Sequence, residues 1–204
     1  YMIFTKQRNL GTTNRPDLHI SGIKIEYETE ARFLGVILDN KLNWSHHIAA
    51  TKMKMARYVG IMHKVKRYLP LKARIQIYQS LVQSHLNFCS LVWGFASKSL
   101  IDSLFCKQKK GLRAVMPGYI NYNYNDGATP THTKASFKEY EILQVHGIIA
   151  KNALLFMHKI KYFPSLLPKN IKNIFPTNMP TTESTHENSQ EWLETYGNVY
   201  YRKS

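Results

Sequence analysis

The acidic residues near the N-terminus are the side chains that could do metal-dependent chemistry. Before residue 40 the acids are Asp17, Glu26, Glu28, Glu30 and Asp39, and no further Asp or Glu occurs until Asp102. Two-metal phosphoryl transfer needs carboxylates that converge on ions about 3.5–4 Å apart. These acids include no adjacent Asp-Asp pair, and the alternation of Glu26, Glu28 and Glu30 predicts one solvent-facing side of a strand. The sequence therefore predicts no catalytic residue in this chain.

Two adjacent histidines, His46 and His47, are the other candidates for binding a metal. On a helix their side chains would point about 100° apart, which is poor geometry for one ion. A capping or packing role is the better interpretation. The sequence also contains no Walker loop, no G-x-S-x-G elbow and no zinc-knuckle spacing. We expect no metal site and no cofactor in this chain.

The charge balance points to an anionic partner. The chain has 204 residues, of which 28 are Lys or Arg and 13 are Asp or Glu, for a formal net charge of +15. Such a charge favours nucleic acid, or less often an acidic membrane surface, with solubility as the plainer alternative. The two cysteines, Cys89 and Cys106, form no C-x-x-C pair and favour a reducing intracellular setting. The apolar stretches fall short of the roughly 20 residues that a membrane span needs.

The cations concentrate in two acid-free stretches. Ten basic residues lie between residues 40 and 101, and a second group follows in "KQKKGLRAV". The first predicted helix places Lys54, Arg57 and Lys64 along one face, where no local acid can pair with them. Contact with phosphates is the favoured interpretation, and pairing with acids of another domain or subunit is the alternative. The candidate nucleic-acid-binding residues are Lys52, Lys54, Arg57, Lys64, Lys66, Arg67, Lys107, Lys109, Lys110 and Arg113.

Residue patterns predict a small β portion followed by helices. "YMIF" reads as a short strand, "HISGIKIEYE" as a hairpin and "RFLGVILD" as one buried strand. A helix is predicted from an N-cap at Ser45 to Pro70, a second carries the stripe Leu71, Ile75, Tyr78 and Val82, and a third spans residues 99–115. Residues 118–133 read as a loop and 135–162 as helical, whereas "PSLLPKNIKNIFP" is too rich in proline for one long element. Interleaved aromatics (Tyr58, Tyr68, Tyr78 and Trp93) have core spacing and mostly indicate packing.

Five motifs in this order resemble reverse transcriptases of non-LTR (LINE-type, Jockey-like) retrotransposons. They are "FLGVILDNKLNW" followed by "HI", "IYQSLVQSHLNFCSLVWG", "LFCKQKKGLRAV", "THTKASFKEYEILQV" and "LLFMHKIKYFPSLLP". The resemblance covers roughly residues 1–170. Phe88 and Cys89 stand where the family commonly has a Tyr-Gly pair, and the cysteine–histidine knuckle of some relatives is absent.

The resemblance implies a mainly α fold in which a helical, thumb-like bundle follows the last strands of a palm. It implies palm edge over 1–39 and thumb over 40–116. Residue composition separately predicts loop and further helices over 117–176, and a weakly ordered acidic tail over 177–204 that has little aliphatic content. "RFLGVILD" would lie near a primer-grip turn, with Phe33, Leu34 and Gly35 as primer-grip-like residues. The catalytic aspartates and their Mg²⁺ would lie upstream, outside this chain.

The resulting hypothesis is a C-terminal segment of an RNA-directed DNA polymerase that grips the template–primer backbone and is inactive in isolation. Its partners would be an RNA–DNA or RNA template–primer, bound without sequence preference, and the upstream palm and fingers of the same polyprotein. We expect it in an intracellular ribonucleoprotein, nuclear or cytoplasmic, with no membrane partner. One alternative is a non-enzymatic nucleic-acid-binding or scaffolding module derived from a retrotransposon, and another is a basic helical domain that binds proteins.

Overall fold

A computed structural model describes residues 1–5, 16–116 and 133–174. The chain divides into two compact units, residues 1–149 and residues 150–204. The described part is mainly helical with a small N-terminal β portion, which confirms this part of the expected fold class. Almost all of the predicted loop over 118–133 and the whole acidic tail over 177–204 lie outside the described residues. The four-part division of the chain stays a prediction.

The first hairpin follows the sequence expectation. Strand β1 (Leu18–Ile20) pairs antiparallel with β2 (Ile23–Ile25). Ser21 and Gly22 connect them with φ angles of 51° and 78°. Positive φ at both central residues characterises the tight turns whose twist matches that of the flanking strands.

A second hairpin replaces the single buried strand that we expected in "RFLGVILD". Strand β3 (Glu30–Phe33) pairs with β4 (Val36–Asp39), and the chain reverses at Leu34 and Gly35 with φ angles of 46° and 85°. The prediction was wrong because the aliphatic run hides a turn, in which glycine supplies the left-handed conformation at no steric cost. Of the whole segment only Val36 is fully buried.

Two further expectations for the β portion are wrong. "YMIF" forms no strand, although the N–H of Glu28 donates to the Tyr1 carbonyl at 2.8 Å and the N–H of Thr5 donates to the Asn40 carbonyl at 3.0 Å. Glu26 and Glu28 lie after the end of β2, outside any strand, so they do not share a strand face with Glu30. Alternating residue types over so few positions did not predict strands here, because the chain is held by isolated backbone hydrogen bonds and not by a continuous strand pairing.

Ten helical segments complete the described part of the chain. They are α1 (Ser45–Val65), α2 (Leu71–Tyr78), a π-helical turn (Gln79–Gln83), α3 (Ser84–Asn87), α4 (Ser90–Trp93), α5 (Lys98–Val115), α6 (Lys134–Glu139), α7 (Val145–Tyr162), a 3₁₀ turn (Pro164–Leu166) and α8 (Lys169–Ile174). The predicted breaks at Pro70 and in the proline-rich stretch are confirmed, as is the helix predicted over 99–115. Residues 135–162 form two helices, since the chain leaves α6 through Glu141 at φ 51°.

The segment from α2 to α3 is one continuous helical path with a π turn in its middle, because its junction residues all have right-handed helical angles. Its predicted apolar stripe is confirmed. Tyr78 and Val82 are buried, Leu71 and Ile75 pack against the core, and the stripe continues to the fully buried Leu86.

The core of the first unit lies between α1 and α5. Met55 and Met62 from α1 and Leu104 and Leu112 from α5 are at most 2% exposed. The buried Gln108 links α5 to the chain entering α7: its Nε2 donates to the Leu143 carbonyl and its Oε1 accepts from the Val145 N–H, both at 2.8 Å. With both amide groups bonded, this buried polar side chain carries no desolvation penalty for an unmade bond.

Candidate nucleic-acid interface

Asp39 fixes the direction in which the chain leaves the second hairpin and enters α1. Its Oδ1 accepts hydrogen bonds from the backbone N–H groups of Lys41 and Asn43, at 3.1 and 3.0 Å. Its Oδ2 accepts from the N–H of Trp44 at 2.9 Å. Partial burial acts to raise the pKa of Asp39, but these three donors and the nearby His46 outweigh it and lower the pKa below its usual value.

This arrangement corrects the predicted helix start. Trp44 precedes α1 in a left-handed conformation at φ 65°, and Ser45 is the first helical residue and provides no side-chain cap. The carboxylate of Asp39 binds N–H groups that lie ahead of the helix, and so it orders the approach to α1 without capping the first helical N–H groups.

The two adjacent histidines hold the second hairpin against α1. The N–H of Ile37 in β4 donates to Nδ1 of His47 at 3.3 Å, and His47 is buried against Trp93. His46 forms an ion pair with Glu30 of β3. Burial, and then the charge of Lys54, lowers the pKa of His47. The predicted packing role is confirmed for His47.

The exposed face of α1 carries three of the candidate binding residues. Lys54, Arg57 and Lys64 are all exposed, whereas Met62 is buried and Tyr58 and Val65 pack against the core. At about 100° per residue the three cations fall within roughly one quarter of the helix circumference. The structure therefore brings this trio together on a solvent-facing surface.

Three other cations of this region lie outside the exposed trio or beyond the end of α1. Lys52 is partly buried and its Nζ donates to Oγ of Ser103 in α5 at 3.2 Å. Lys66 is partly buried and follows the end of α1, and it points about 120° or more away from the trio at helical spacing. Arg67 is exposed in the turn after α1. The structure does not bring Lys52 and Lys66 onto the face of the trio, and it leaves Arg67 exposed three residues after Lys64.

The second basic group lies along α5. Lys110 is exposed, while Lys107, Lys109 and Arg113 are partly buried. Nζ of Lys109 lies 4.7 Å from the centroid of the Phe105 ring, which is the geometry of a cation–π contact. Leu104, Leu112 and Val115 are buried on the side of α5 opposite Lys110, so Lys110 lies away from the core.

The turn between β3 and β4 presents the primer-grip-like residues. Phe33 is 63% exposed and Leu34 is 79% exposed. A Cβ on Gly35 would lie 3.3 Å from Cζ of Phe88, so the turn packs closely on the residue that follows α3. The backbone carbonyl of Phe88 is itself held by Nε1 of Trp93 at 2.7 Å. The turn is thus supported by the helical part of the same unit.

A pair of polar side chains, one from α1 and one from α3, lies near Lys54 of the trio. The rings of Tyr58 in α1 and His85 in α3 stack at 5.5 Å with an interplanar angle of 17°, and Nε2 of His85 lies 3.4 Å from the Tyr58 hydroxyl. Lys54 lies one helical turn before Tyr58. Partial burial is the main cause that lowers the pKa of His85, and the positive charge of Lys54 lowers it further. Sequence analysis missed His85, because only the tertiary contact of α3 with α1 brings it to the trio.

Within the described residues, the cations of the trio pair with no carboxylate. The ion pairs found in those ranges join Lys24 to Asp17 at 2.7 Å, His46 to Glu30, and His146 to Asp102 at 3.2 Å. The described ranges contain no cluster of three or more His, Cys, Asp or Glu side chains that could hold a metal. Their acids thus do not fit a two-metal Mg²⁺ site. No described helix combines the length and apolarity needed to cross a membrane.

Comparison with known proteins agrees with the motif pattern. The RNA-directed DNA polymerase from mobile element jockey of Drosophila melanogaster is 30% identical over 108 residues, or 51% of this chain and 12% of that protein. Its counterpart in Drosophila funebris is 26% identical over 103 residues, or 49% and 11%. The probable RNA-directed DNA polymerase from transposon BS of D. melanogaster is 24% identical over 109 residues, or 50% and 12%.

Half of the chain is homologous to non-LTR retrotransposon reverse transcriptases. The expected resemblance is therefore confirmed. The chain spans only about one eighth of the length of these polymerases. No protein-family model matches the chain. No solved structure matches it either.

Proposed function

We propose that this chain is the segment of a non-LTR retrotransposon RNA-directed DNA polymerase that holds the template–primer by its sugar–phosphate backbone. The exposed trio on α1 carries the proposal. Three cations on one solvent-facing surface repel each other unless negative charge is supplied from outside, and phosphates supply it at regular spacing. Such contacts position a duplex without reading its sequence. Homology to polymerases that copy RNA into DNA favours nucleic acid over an acidic protein as the partner.

The second hairpin gives this surface a second element. In our proposal, α1 and its neighbours act as the thumb, and the turn of Phe33, Leu34 and Gly35 acts as the primer grip. Close packing of Gly35 on Phe88 supports this assignment, since a turn that places a nucleic-acid end must itself be held in position. Exposed aromatic and aliphatic side chains at the turn are suited to contact sugars and bases rather than phosphates.

The chemistry of polymerisation belongs, in this proposal, to other parts of the polymerase. The acids of the described residues are engaged or dispersed: Asp39 binds backbone N–H groups, Glu30 pairs with His46 and Asp17 pairs with Lys24. We propose that the Mg²⁺-binding carboxylates and the fingers come from the upstream polyprotein, and that the particle is an intracellular ribonucleoprotein. This chain's own residues bind and orient the duplex.

Charge reversal of the trio tests the proposal. The triple variant Lys54→Glu, Arg57→Glu, Lys64→Glu should weaken binding to an RNA–DNA duplex of mixed sequence and reduce the slope of log K against log salt by about three. The matched control, Lys72→Glu, Lys98→Glu, Lys138→Glu, changes three exposed lysines and the same net charge. It should keep most of the parental slope. If both variants lose binding equally, net charge alone attracts the duplex. If the trio variant binds like the parent, the proposed interface is wrong.

A further inference from the structure

We propose that Lys54, the hydroxyl of Tyr58 and His85 form one phosphate-binding subsite, in which His85 takes up a proton from solvent when a backbone phosphate binds. The inference rests on the proposed function and deepens it, because it identifies one subsite of the interface and links its occupancy to pH. The subsite adds the hydroxyl of Tyr58 and the titratable imidazole of His85 to a surface that has so far been described by its lysine and arginine side chains.

Geometry places the three groups together. Lys54 and Tyr58 are four residues apart on α1, so their side chains lie on the same side of the helix one turn apart. His85 comes from α3, with its ring stacked on Tyr58 at 5.5 Å and its Nε2 3.4 Å from the Tyr58 hydroxyl. The group also borders the second hairpin, since Phe88, one turn after His85, packs on Gly35. A phosphate approaching Lys54 therefore meets a hydroxyl and an imidazole.

The hydrogen-bonding capacity of His85 suits this ligand. Its Nε2 faces the Tyr58 hydroxyl, and no described residue forms a hydrogen bond with its Nδ1. Neutral imidazole offers one N–H donor and imidazolium offers two, so protonation lets His85 keep its contact with Tyr58 and donate to a phosphate oxygen as well. Hydrogen bonds between ionised partners are roughly twice as strong as neutral ones.

The charges around His85 oppose its protonation until an anion arrives. From α1 it is faced by the hydroxyl of Tyr58, and the positive charge of Lys54 acts on it. Its neighbours on α3 are uncharged, and no described carboxylate pairs with it. In the free protein, burial and Lys54 lower the pKa of His85. A phosphate beside Lys54 offsets the positive charge, so the pKa of His85 rises and binding draws in a proton.

Duplex affinity measured against pH tests this coupling. Between pH 8 and pH 6 the parent protein should gain about three- to tenfold more affinity for an RNA–DNA duplex than the His85→Gln variant does. The matched control is His63→Gln. His63 lies on the far side of α1 from Lys54, and burial and the neighbouring Lys66 also lower its pKa. This control should keep the parental pH dependence, and Tyr58→Phe should reduce it.

NMR titration of the His85 imidazole in the unmodified protein gives a second readout that needs no variant. A saturating duplex should raise the pKa of His85 and leave that of His63 near its value in the free protein. An unchanged pKa of His85, or a His85→Gln variant with the full parental pH dependence, would overturn the subsite. The trio reversal separates this failure from a failure of the interface: if the trio variant loses binding while His85 does not respond, only the subsite is wrong.

Discussion

The carboxylate of Asp39 accepts the backbone N–H of Trp44 at 2.9 Å, and this contact joins the last residue of β4 to the residue that opens α1. The same carboxylate binds the N–H groups of Lys41 and Asn43. The five residues between strand and helix are thus ordered around one side chain. The position of the proposed primer-grip turn relative to the exposed trio depends on this junction.

Asp39→Ala should therefore destabilise the first unit by about 1–3 kcal/mol, because several backbone donors lose their common acceptor. Denaturant unfolding followed by circular dichroism measures this. Because the pKa of Asp39 is lowered in the folded state, its contribution is present above its usual pKa of 3.8 and is lost as the pH falls through the lower folded value. Asp17→Ala, which removes an exposed partner of Lys24, is the control and should change stability little. Equal effects of the two variants would contradict the role of Asp39.

Two glycines should respond in opposite ways to a single methyl group. A Cβ on Gly94 would meet the Ser90 carbonyl oxygen and lie 2.8 Å from Cγ2 of Ile149, whereas a Cβ on Gly60 has no neighbour within 4 Å. Gly94→Ala should cost about 1–3 kcal/mol of stability through overpacking. Gly60→Ala, on the exposed side of α1, should stabilise by about 0.5–1 kcal/mol through its helix propensity. Thermal unfolding of both variants tests this, and a tolerated Gly94→Ala would show that α4 lies further from Ile149.

Acid should loosen the contact between the second hairpin and α1 through His47. Its Nδ1 must be unprotonated to accept the Ile37 N–H, and burial and Lys54 lower its pKa in the folded state. The unfolded chain therefore binds the proton more readily, so stability from this group is complete above pH 6.5 and declines as the pH falls through the folded pKa. The His47→Gln variant should be less stable than the parent protein at pH 8, and it should lose less folding stability than the parent when the pH is lowered. The exposed His19→Gln is the control and should follow the parent at every pH.

Helix patterns predicted most of the described fold because their periodicity reports burial directly. Tyr78 and Val82 lie on the stripe that the sequence identified, and the helix predicted over 99–115 differs from α5 by one residue. The hairpin at Leu34 and Gly35 was hidden because an aliphatic run reads as a strand whether or not it turns. The start of α1 was misplaced by one residue, because the Asp39 carboxylate, six residues before Ser45, holds the backbone as far as Trp44 and the helix begins directly after it.

The sequence predicted only the charged residues of the site. Lys54, Arg57 and Lys64 were placed on one face because helical spacing fixes which residues share a face. The tie of Lys52 to Ser103 and the stack of His85 on Tyr58 join residues 51 and 27 positions apart. No local pattern encodes such contacts, since they depend on how α1 packs against α3 and α5.

The salt dependence of binding should reveal how many of the two basic faces a duplex occupies. Each backbone phosphate that the protein contacts makes the slope of log K against log salt more negative by about 0.9 on duplex. If only the trio of α1 binds, the slope should be about −3, and if Lys107 and Lys110 of α5 join it, about −4 to −5. We expect the steeper value, with no preference among sequences of equal length. The double variant Lys107→Glu, Lys110→Glu should then make the slope less negative by about two. Fluorescence anisotropy between 50 and 200 mM salt measures it over roughly the range where such contacts dominate. A slope near zero, or a strong preference for one sequence, would contradict backbone contact and favour pairing of these cations with the acids of another protein domain.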